Sequence, residues 1–370
     1  MERRKFLKGA GTAGLVGGVA AATGLPTPAI SQNRLQWNLQ MTWPANAPLL
    51  ASAPANLAAF VEKTSGGRLT IKVHAAGEIA GAFQALDAVA DGAVEMGHGY
   101  PAYWAGKLPA INFLSPIPFG ITTQEQNAWF RYGGGLELAQ KIYSQLGVMF
   151  FPCGNTSVQG AGWFNKKLDT MGAFQGLKVR SGGMGAKVLQ AVGATPVQMP
   201  LGEVPQAMQT GAIDGADFVG PFNDVAFGLH KVSKYYYWPG WMEPCGVLDC
   251  FINMAAWEGL PDDLKEIVKG GCEMANSINI SEYVAKNAQA MDVIKATPGL
   301  SVEFFPDEVL KGLGTATNDV VTAAGKADAL STEAYNSIMS FRKMVLPYTN
   351  ISEMRFMEAR NLGFPYGGAL

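Results

Sequence analysis

A single arginine at the end of a short apolar segment is the residue of this sequence best suited to binding chemistry. The stretch GLKVRSGG, residues 176–183, places Leu177 and Val179 at alternate positions, as in a short buried strand, and Arg180 follows them directly. Three small residues come next, so a ligand can approach the backbone closely. A guanidinium group is planar and permanently charged, and it forms two parallel hydrogen bonds with a carboxylate. Arg180 therefore indicates a carboxylate ligand, with a surface salt bridge as the alternative.

Two further segments carry polar side chains at positions that suit a cleft. In CGNTSVQGAGWF, the residues Asn155, Thr156 and Gln159 come just after an apolar strand, where polar strand ends face a cleft. Glu243 lies in PGWMEPCG, an apolar and aromatic setting in which a carboxylate is costly to bury unless it is paired or bound to a cation. A solvated loop carboxylate is the other interpretation of Glu243.

The residue patterns of an enzyme active site do not occur in the sequence. It contains no G-x-S-x-G, P-loop or H-E-x-x-H motif, and His98 is the one histidine near a plausible cleft. A lone histidine is more often structural, and nothing assembles a base, a nucleophile and an orienting group. We therefore expect a binding protein rather than an enzyme. The four cysteines match no zinc pattern, so we expect buried free thiols.

Composition and the N-terminus indicate an exported globular protein. The 370 residues are 48% hydrophobic and 16% charged, which is enough for two domains with their own cores. The formal net charge of −2, without a basic stripe, gives no reason to expect a nucleic-acid partner. Residues 1–31 have a basic start with Arg3 and Arg4, an apolar run and a small-residue end, which predicts a signal peptide of the twin-arginine type and a periplasmic location. An uncleaved anchor is the alternative, but glycines and prolines interrupt the apolar run.

Strand and helix patterns alternate along the chain, which predicts an α/β protein. Residues 87–100 and 206–219 share a spacing in which a helix ends at a glycine, Gly92 or Gly211, before a short apolar strand with a polar or aromatic end. Chance similarity of short Gly-Ala strings is the alternative. Two lobes built alike would face each other across a cleft.

Several longer stretches resemble the extracytoplasmic solute receptors of TRAP transporters, the DctP-type family, and are most similar to its 2-oxoacid and lactate-binding branch. These stretches lie at residues 65–107, 154–164, 176–224 and 235–244. The resemblance runs from about Trp37 to the C-terminal helices. The arginine strand is family-wide, whereas GNTSVQ, YYYWPG and Glu243 belong to the narrower branch.

The resemblance implies a two-lobed periplasmic binding protein with a long spine helix and a ligand cleft between the lobes. Residues 32–155 would form mainly the first lobe and residues 156–255 mainly the second. Residues 256–370 would be C-terminal helices that span both lobes. A homodimer through residues 323–348 is possible in this branch, although such helices also simply pack on their own lobe.

The resemblance also implies the roles of the site residues. Arg180 would pair with the substrate carboxylate, and Tyr100, Gln159, Asn155 and Phe218 would be the other substrate-binding residues.

A sodium or calcium ion would bridge protein and substrate in this branch. Its ligands would be the side chain of Gln159, the main-chain oxygen of Phe218 and Glu243, with Asp217 as a second acidic candidate. Phe218 stands where the branch usually has Trp, which makes the pocket wall smaller.

The implied function is a receptor that binds a small organic monocarboxylate, a 2-oxoacid or 2-hydroxyacid, and delivers it to a TRAP permease. An exported enzyme acting on a related carboxylate is the main alternative, and a sensor protein that presents the ligand to a signalling partner is a third.

Overall fold

Strands and helices alternate through most of the chain, and the computed structural model describes residues 34–363. The strands are β1 (Leu35–Met41), β2 (Leu69–His74), β3 (Met96–Gly99), β4 (Val148–Asn155), β5 (Gly162–Phe164), β6 (Lys178–Arg180), β7 (Thr195–Val197), β8 (Gly215–Ala216), β9 (Tyr235–Trp238), β10 (Val247–Asn253) and β11 (Ser301–Phe304). The helices are α1 (Ser52–Thr64), α2 (Ala85–Ala90), α3 (Thr123–Tyr132), α4 (Gly135–Ser144), α5 (Gly183–Ala191), α6 (Val204–Gln209), α7 (Pro221–Ala226), α8 (Leu229–Val232), α9 (Met254–Glu258), α10 (Asp262–Lys295), α11 (Asp307–Ala324), α12 (Ala329–Thr349) and α13 (Arg355–Arg360).

The strands form two mixed sheets. The first sheet has the order β2-β1-β3-β10-β4, and the second has the order β11-β9-β5-β8-β6-β7. The chain passes from the first sheet to the second between β4 and β5, and it returns between β9 and β10. β10 therefore lies in the first sheet, although its residues fall in the range predicted to be mainly second lobe. The lobe boundaries stay a prediction.

The two sheets share the local arrangement that the repeated sequence pattern predicts. β3 has β1 as a parallel neighbour and β10 as an antiparallel one. β8 likewise has β6 as a parallel neighbour and β5 as an antiparallel one. Gly92 and Gly211 follow the preceding helices at φ angles of 75° and 72°, a left-handed conformation that favours glycine. The glycine helix ends are confirmed, and the polar residues after β3 and β8 occupy equivalent places.

Helix α10 is the long helix that the family resemblance implies. It has 34 residues, which corresponds to a length of roughly 50 Å. The side chain of Asn279 accepts the N–H of Asn155 at 3.1 Å and donates to the carbonyl of Leu49 at 2.8 Å. Farther along, Asn287 Oδ1 accepts the N–H of Phe222 at 3.0 Å. The helix thus holds the chain where it leaves β4 and also holds α7 next to the second sheet.

Apolar side chains from both sheets and from α1 form the core. Leu57 and Val61 on α1 are fully buried, as are Leu39 on β1 and Trp163 on β5. These four residues belong to one cluster that includes residues from both sheets. The four cysteines are buried free thiols, which confirms that prediction. The proposed signal peptide lies outside the described residues.

Candidate ligand and cation site

The carboxyl ends of four strands surround one cavity. β1 and β3 end at Met41 and Gly99, and β6 and β8 end at Arg180 and Ala216. Ligands of open α/β sheets bind at such strand ends. The empty space of the cavity, including the part open to solvent, is about 310 Å³. Its lining residues are Trp43, Leu50, Tyr100, Tyr103, Thr156, Gln159, Arg180, Leu201, Phe218, Val219, Glu243 and Leu248.

Arg180 is the last residue of β6 and is 5% exposed. Its Nη1 donates to the main-chain oxygen of Asp217 at 2.7 Å, and its Nε donates to that of Met199 at 3.4 Å. The N–H of Asp217 in turn donates to the main-chain oxygen of Arg180 at 3.0 Å. Two of the five guanidinium N–H donors are thereby used to fix the arginine, and the others remain for a ligand.

Two buried carboxyl groups lie near this arginine: Glu243 lines the cavity, and Asp217 directly precedes the lining residue Phe218. Glu243 and Asp217 are both buried, and the hydroxyl of Tyr100 donates to Oε1 of Glu243 at 2.7 Å. Burial raises the pKa of Glu243, which the hydrogen bond from Tyr100 and the charge of Arg180 partly offset. Burial and the nearby Glu243 raise the pKa of Asp217 well above its usual range. A cation at this place would favour the ionised form of both groups.

Gln159 presents an unpaired oxygen in the same cavity. Its Nε2 donates to Oγ1 of Thr156 at 2.7 Å, and its buried Oε1 has no hydrogen-bond partner in the part of the chain that the structure describes. The same holds for Oδ1 of Asp217. A Cβ atom on Gly246 would lie 2.2 Å from Oγ1 of Thr156. The loop that carries Glu243 can therefore come this close to Thr156 only with glycine at position 246.

These residues fit a hard cation. Sodium and calcium ions prefer oxygen ligands, and Gln159, Asp217 and Glu243 offer an amide oxygen and carboxylate oxygens. Phe218, whose main-chain oxygen is another candidate ligand, also lines the cavity. Within residues 34–363, no group of three or more His, Cys, Asp or Glu side chains is placed to hold a metal. A cation here would therefore use amide or main-chain oxygens as well as carboxylates.

Most of the predicted site residues meet in this cavity, and Asn155 takes another position. Asn155 is buried beside it, where its Oδ1 accepts the N–H of Ser157 at 2.9 Å and the hydroxyl of Thr123 at 3.4 Å. Its amide therefore shapes the turn that leads to Gln159. The role of Asn155 in substrate binding stays a prediction.

Sequence reasoning missed two aromatic residues of the cavity wall. Burial raises the pKa of Tyr103, and the nearby positive charge of Arg180 partly offsets this increase. Trp43 follows β1, and its indole N–H donates to Nδ1 of His98 at 3.0 Å. The aromatic run around Tyr103 was the available signal, but it does not say which ring faces a ligand.

His98 holds the cavity wall and is not placed to act as a base. Because the Trp43 indole only donates, Nδ1 of His98 accepts, and Nε2 donates to the main-chain oxygen of Cys153 at 3.0 Å. Burial lowers the pKa of His98 to about 4, so the ring is neutral at pH 7. These contacts support a structural role for His98.

A larger cavity, with an empty volume of about 950 Å³, lies between α3, α4 and α10. Its lining is mostly apolar, and the charged Arg131 and Glu273 pair with each other across it at 3.0 Å. It contains none of the predicted ligand-binding or metal-binding residues. The smaller cavity has the unpaired oxygens and the buried charges, and these make it the candidate functional site.

The sequence of this chain matches a known family of binding proteins. Residues 39–327 match the family model described as bacterial extracellular solute-binding protein, family 7 (DctP). A relative from Nostoc sp. (strain PCC 7120), named a monocarboxylate 2-oxoacid-binding periplasmic protein, is 34% identical over 358 residues, which cover 96% of this chain and 98% of that protein. The chain belongs to this family of periplasmic solute-binding receptors.

Two solved structures place it among TRAP solute-binding proteins. One, from Pseudoalteromonas atlantica T6c with bound sodium and pyruvate, has a TM-score of 0.85 and 33% identity, covering 88% of this chain and 99% of that chain. The other, from Bordetella bronchiseptica RB50, is a mixed-occupancy dimer with calcium and picolinate; its TM-score is 0.86 and its identity 29%, covering 88% and 97%. The predicted family and fold are confirmed, and the family implies a membrane permease that receives the solute.

Proposed function

We propose that this protein is the receptor of a TRAP transporter for a small organic monocarboxylate, a 2-oxoacid or a 2-hydroxyacid. The observation that carries the proposal is the burial of Arg180 and Glu243 in one cavity, beside the buried Asp217, where Oε1 of Gln159 has no partner among the described residues. The ligands named for the relatives, 2-oxoacids and pyruvate, support the same class.

Arg180 takes the carboxylate of the ligand, because its fork matches two carboxylate oxygens. The side chains of Gln159 and Glu243 and the main-chain oxygen of Phe218 would hold a sodium or calcium ion beside it, with Asp217 as a further ligand. When bound, the ion supplies positive charge to the ligand oxygens. Tyr100 acts through Glu243, to which its hydroxyl donates.

Charge balance is the reason for the cation. Among the residues that the structure describes, Arg180 is the only cationic one that lines the cavity, whereas Glu243 lines it and Asp217 lies buried next to Phe218. A ligand carboxylate would add a third negative charge to this buried place. Uncompensated buried charge is costly, and a cation beside the ligand would compensate it and favour the ionised form of both carboxyl groups.

The rest of the wall favours a short carbon chain with one carboxylate. Trp43, Leu50, Leu201, Val219 and Leu248 line the cavity with apolar surface. A second carboxylate would face this surface without a partner. Monocarboxylates are therefore preferred over dicarboxylates.

The protein binds its ligand without converting it. The neutral ring of His98 is engaged with Trp43 and with a main-chain oxygen, so it does not reach the cavity as a base. The two carboxyl groups are explained by the cation. The rival function is an exported enzyme that acts on a related carboxylate, and full recovery of pyruvate after incubation would count against it.

The proposed place of action is the periplasm, where the receptor meets its permease. Export would depend on the signal peptide of residues 1–31. Within residues 34–363, no helix is long and apolar enough to cross a membrane.

The C-terminal helices are the proposed surface of a homodimer. Large apolar side chains are exposed along α12 and the helical turns that follow it: Met344, Tyr348, Ile351, Met354, Phe356, Met357 and Leu362. Contiguous exposed apolar residues mark interaction sites. The dimer of the Bordetella relative supports a second copy of this chain as the partner.

Native mass spectrometry of freshly purified protein tests the proposed function. We expect a small monocarboxylate and a sodium or calcium ion to be retained together. A thermal-shift screen then compares pyruvate and lactate with dicarboxylates, sugars and amino acids, and a ligand at 100 times its Kd should add about 2.7 kcal/mol of stability. A screen in which only sugars or amino acids raise the Tm would contradict the proposal.

A further inference from the structure

The carboxylate of Asp224 is buried next to the cavity and has no role in the ligand contacts proposed above. It lies on α7 and is 2% exposed, but it does not line the cavity. Its Oδ1 accepts the N–H of Gly220 at 2.8 Å and the N–H of Val219 at 3.3 Å. Its Oδ2 accepts the indole N–H of Trp163 at 2.7 Å. The carboxylate therefore uses both oxygens to hold one loop and one strand.

The loop that Asp224 holds, residues 217–220, carries the main-chain oxygen proposed as a cation ligand. Arg180 fixes the start of this loop through the main-chain oxygen of Asp217 at 2.7 Å. Asp224 fixes its end through two consecutive N–H groups. Phe218 lies between these two anchors, so the direction of its carbonyl depends on both.

Asp224 itself rests on a rigid support. The ring of Trp163 on β5 stacks on Tyr236 of β9 with ring centroids 4.0 Å apart and an interplanar angle of 12°. The next residue before it on α7, Asn223, donates from Nδ2 to the carbonyl of Pro48 at 2.7 Å. Helix α7 is thus tied to the second sheet and to the segment before α1.

We infer that Asp224 is a positioning residue for the cation, which acts by holding the 217–220 loop so that the main-chain oxygen of Phe218 points at the metal. The inference rests on the proposed function, because it needs a cation in the cavity. Residues that orient metal ligands from behind typically change metal affinity 10–100-fold when they are mutated. Asparagine has only one side-chain oxygen. In Asp224→Asn, the NH₂ group would face either the N–H groups of the loop or the indole N–H, so one of these contacts would be lost.

Isothermal titration calorimetry of metal-stripped protein with calcium tests the inference. Asp224→Asn should weaken calcium binding 10–100-fold, and Trp163→Phe, which removes one donor and keeps an aromatic ring, should weaken it less. Asp328→Ala is the control, since Asp328 caps α12 by accepting the N–H of Ser331 at 2.7 Å and does not touch the cavity. The control should bind calcium like the wild type.

A double-mutant comparison separates positioning from general destabilisation. In the Glu243→Gln background, which removes a metal ligand, Asp224→Asn should reduce pyruvate affinity much less than in the wild-type background. Additive losses in the two backgrounds would mean that Asp224 acts on the fold and not on the cation.

Hydrogen exchange gives a readout on the wild-type chain if Asp224→Asn does not fold. The amides of Val219 and Gly220 should become more protected when calcium is added, because the metal and Asp224 hold the same loop. Unchanged protection, or wild-type calcium affinity in a folded Asp224→Asn protein, would overturn the inference while leaving the receptor function intact. A wild-type protein that binds neither calcium nor pyruvate would instead contradict the proposed function.

Discussion

The hydroxyl of Tyr100, directly after β3, donates a hydrogen bond of 2.7 Å to Oε1 of Glu243, in the loop that leads into β10. This contact joins the carboxyl end of a strand in the first sheet to the acidic residue proposed to hold the cation. The hydrogen bond lowers the pKa of Glu243 against the effect of burial. Tyr100 therefore favours the ionised form of Glu243, which is the form that binds metal.

Replacing Tyr100 with Phe should weaken cation binding. A hydrogen bond to a charged group contributes about 1.5–3 kcal/mol, so the loss corresponds to roughly tenfold or more in calcium affinity. Because the pKa of Glu243 rises further in the variant, the difference from wild type should grow as the pH is lowered.

Calcium titrations at pH 6 and pH 8 measure this effect. Tyr143→Phe is the matched control, since the hydroxyl of Tyr143 donates to a different buried carboxylate, Asp249, away from the cavity. Equal calcium affinities for Tyr100→Phe and Tyr143→Phe at both pH values would refute the role of Tyr100.

Replacing Arg180 with Ala should remove most of the affinity for pyruvate. Truncation of one partner of a buried charge pair costs about 2–5 kcal/mol, which is roughly 30-fold to several thousand-fold in Kd. Arg180→Lys should also bind poorly, because an ammonium group cannot form two parallel hydrogen bonds with one carboxylate. Titration calorimetry, with circular dichroism to confirm folding, measures both variants. Binding within a few-fold of wild type by folded Arg180→Ala would mean that the carboxylate is held elsewhere.

Because of Asp249, the free energy of unfolding should decrease as the pH rises from about 4 to about 6. Burial raises its pKa to about 6, although Tyr143 and Trp104 donate to it. In that window the unfolded chain releases a proton that the folded protein keeps, so the free energy of unfolding decreases as the pH rises. Two pKa units correspond to about 3 kcal/mol.

Urea unfolding of wild type and Asp249→Asn at pH 4 and pH 7 checks the sign. The stability of the wild type relative to the variant should be greater at pH 4 than at pH 7, because the asparagine does not titrate. A relative stability that is the same at both pH values would show that Asp249 does not have a raised pKa.

Charges on the exposed apolar face of the C-terminal helices should prevent dimer formation. Ile351 and Phe356 are 76% and 66% exposed, so glutamate at both positions adds charge without disturbing a core. Light scattering coupled to size exclusion should change from dimer to monomer. Phe304→Glu, at a 73% exposed position on β11, is the control and should stay dimeric. A wild type that is monomeric at all concentrations would contradict the dimer.

The local features of the fold were predictable because each depends on a few adjacent residues. The alternation in residues 35–41 predicts β1, and the spacing around Gly92 and Gly211 predicts helix ends that the φ angles confirm. Arg180 and Glu243 stood out because an arginine beside glycines, or a carboxylate among aromatic residues, requires a partner. These two residues do line one cavity.

The long-range features were not predictable from the same patterns. The pairing of β10 with both β3 and β4 in the first sheet depends on burial against distant neighbours, and β propensity does not encode it. Tyr103 and Trp43 reach the cavity only through that packing. The sequence around Asp224 predicts nothing more than an acidic residue in a helix. Its role depends on its contacts with Val219, Gly220 and Trp163, which only the structure shows.

Pyruvate titration of metal-stripped protein, with and without added calcium or sodium, tests the central claim most directly. Binding of metal and of carboxylate should strengthen each other, because coupling between two sites is reciprocal. Wild-type affinity for pyruvate should therefore rise when the metal is added, and Glu243→Gln should weaken both ligands and lose most of that increase. Equal pyruvate affinity with and without metal, in protein that elemental analysis finds free of metal, would contradict the account.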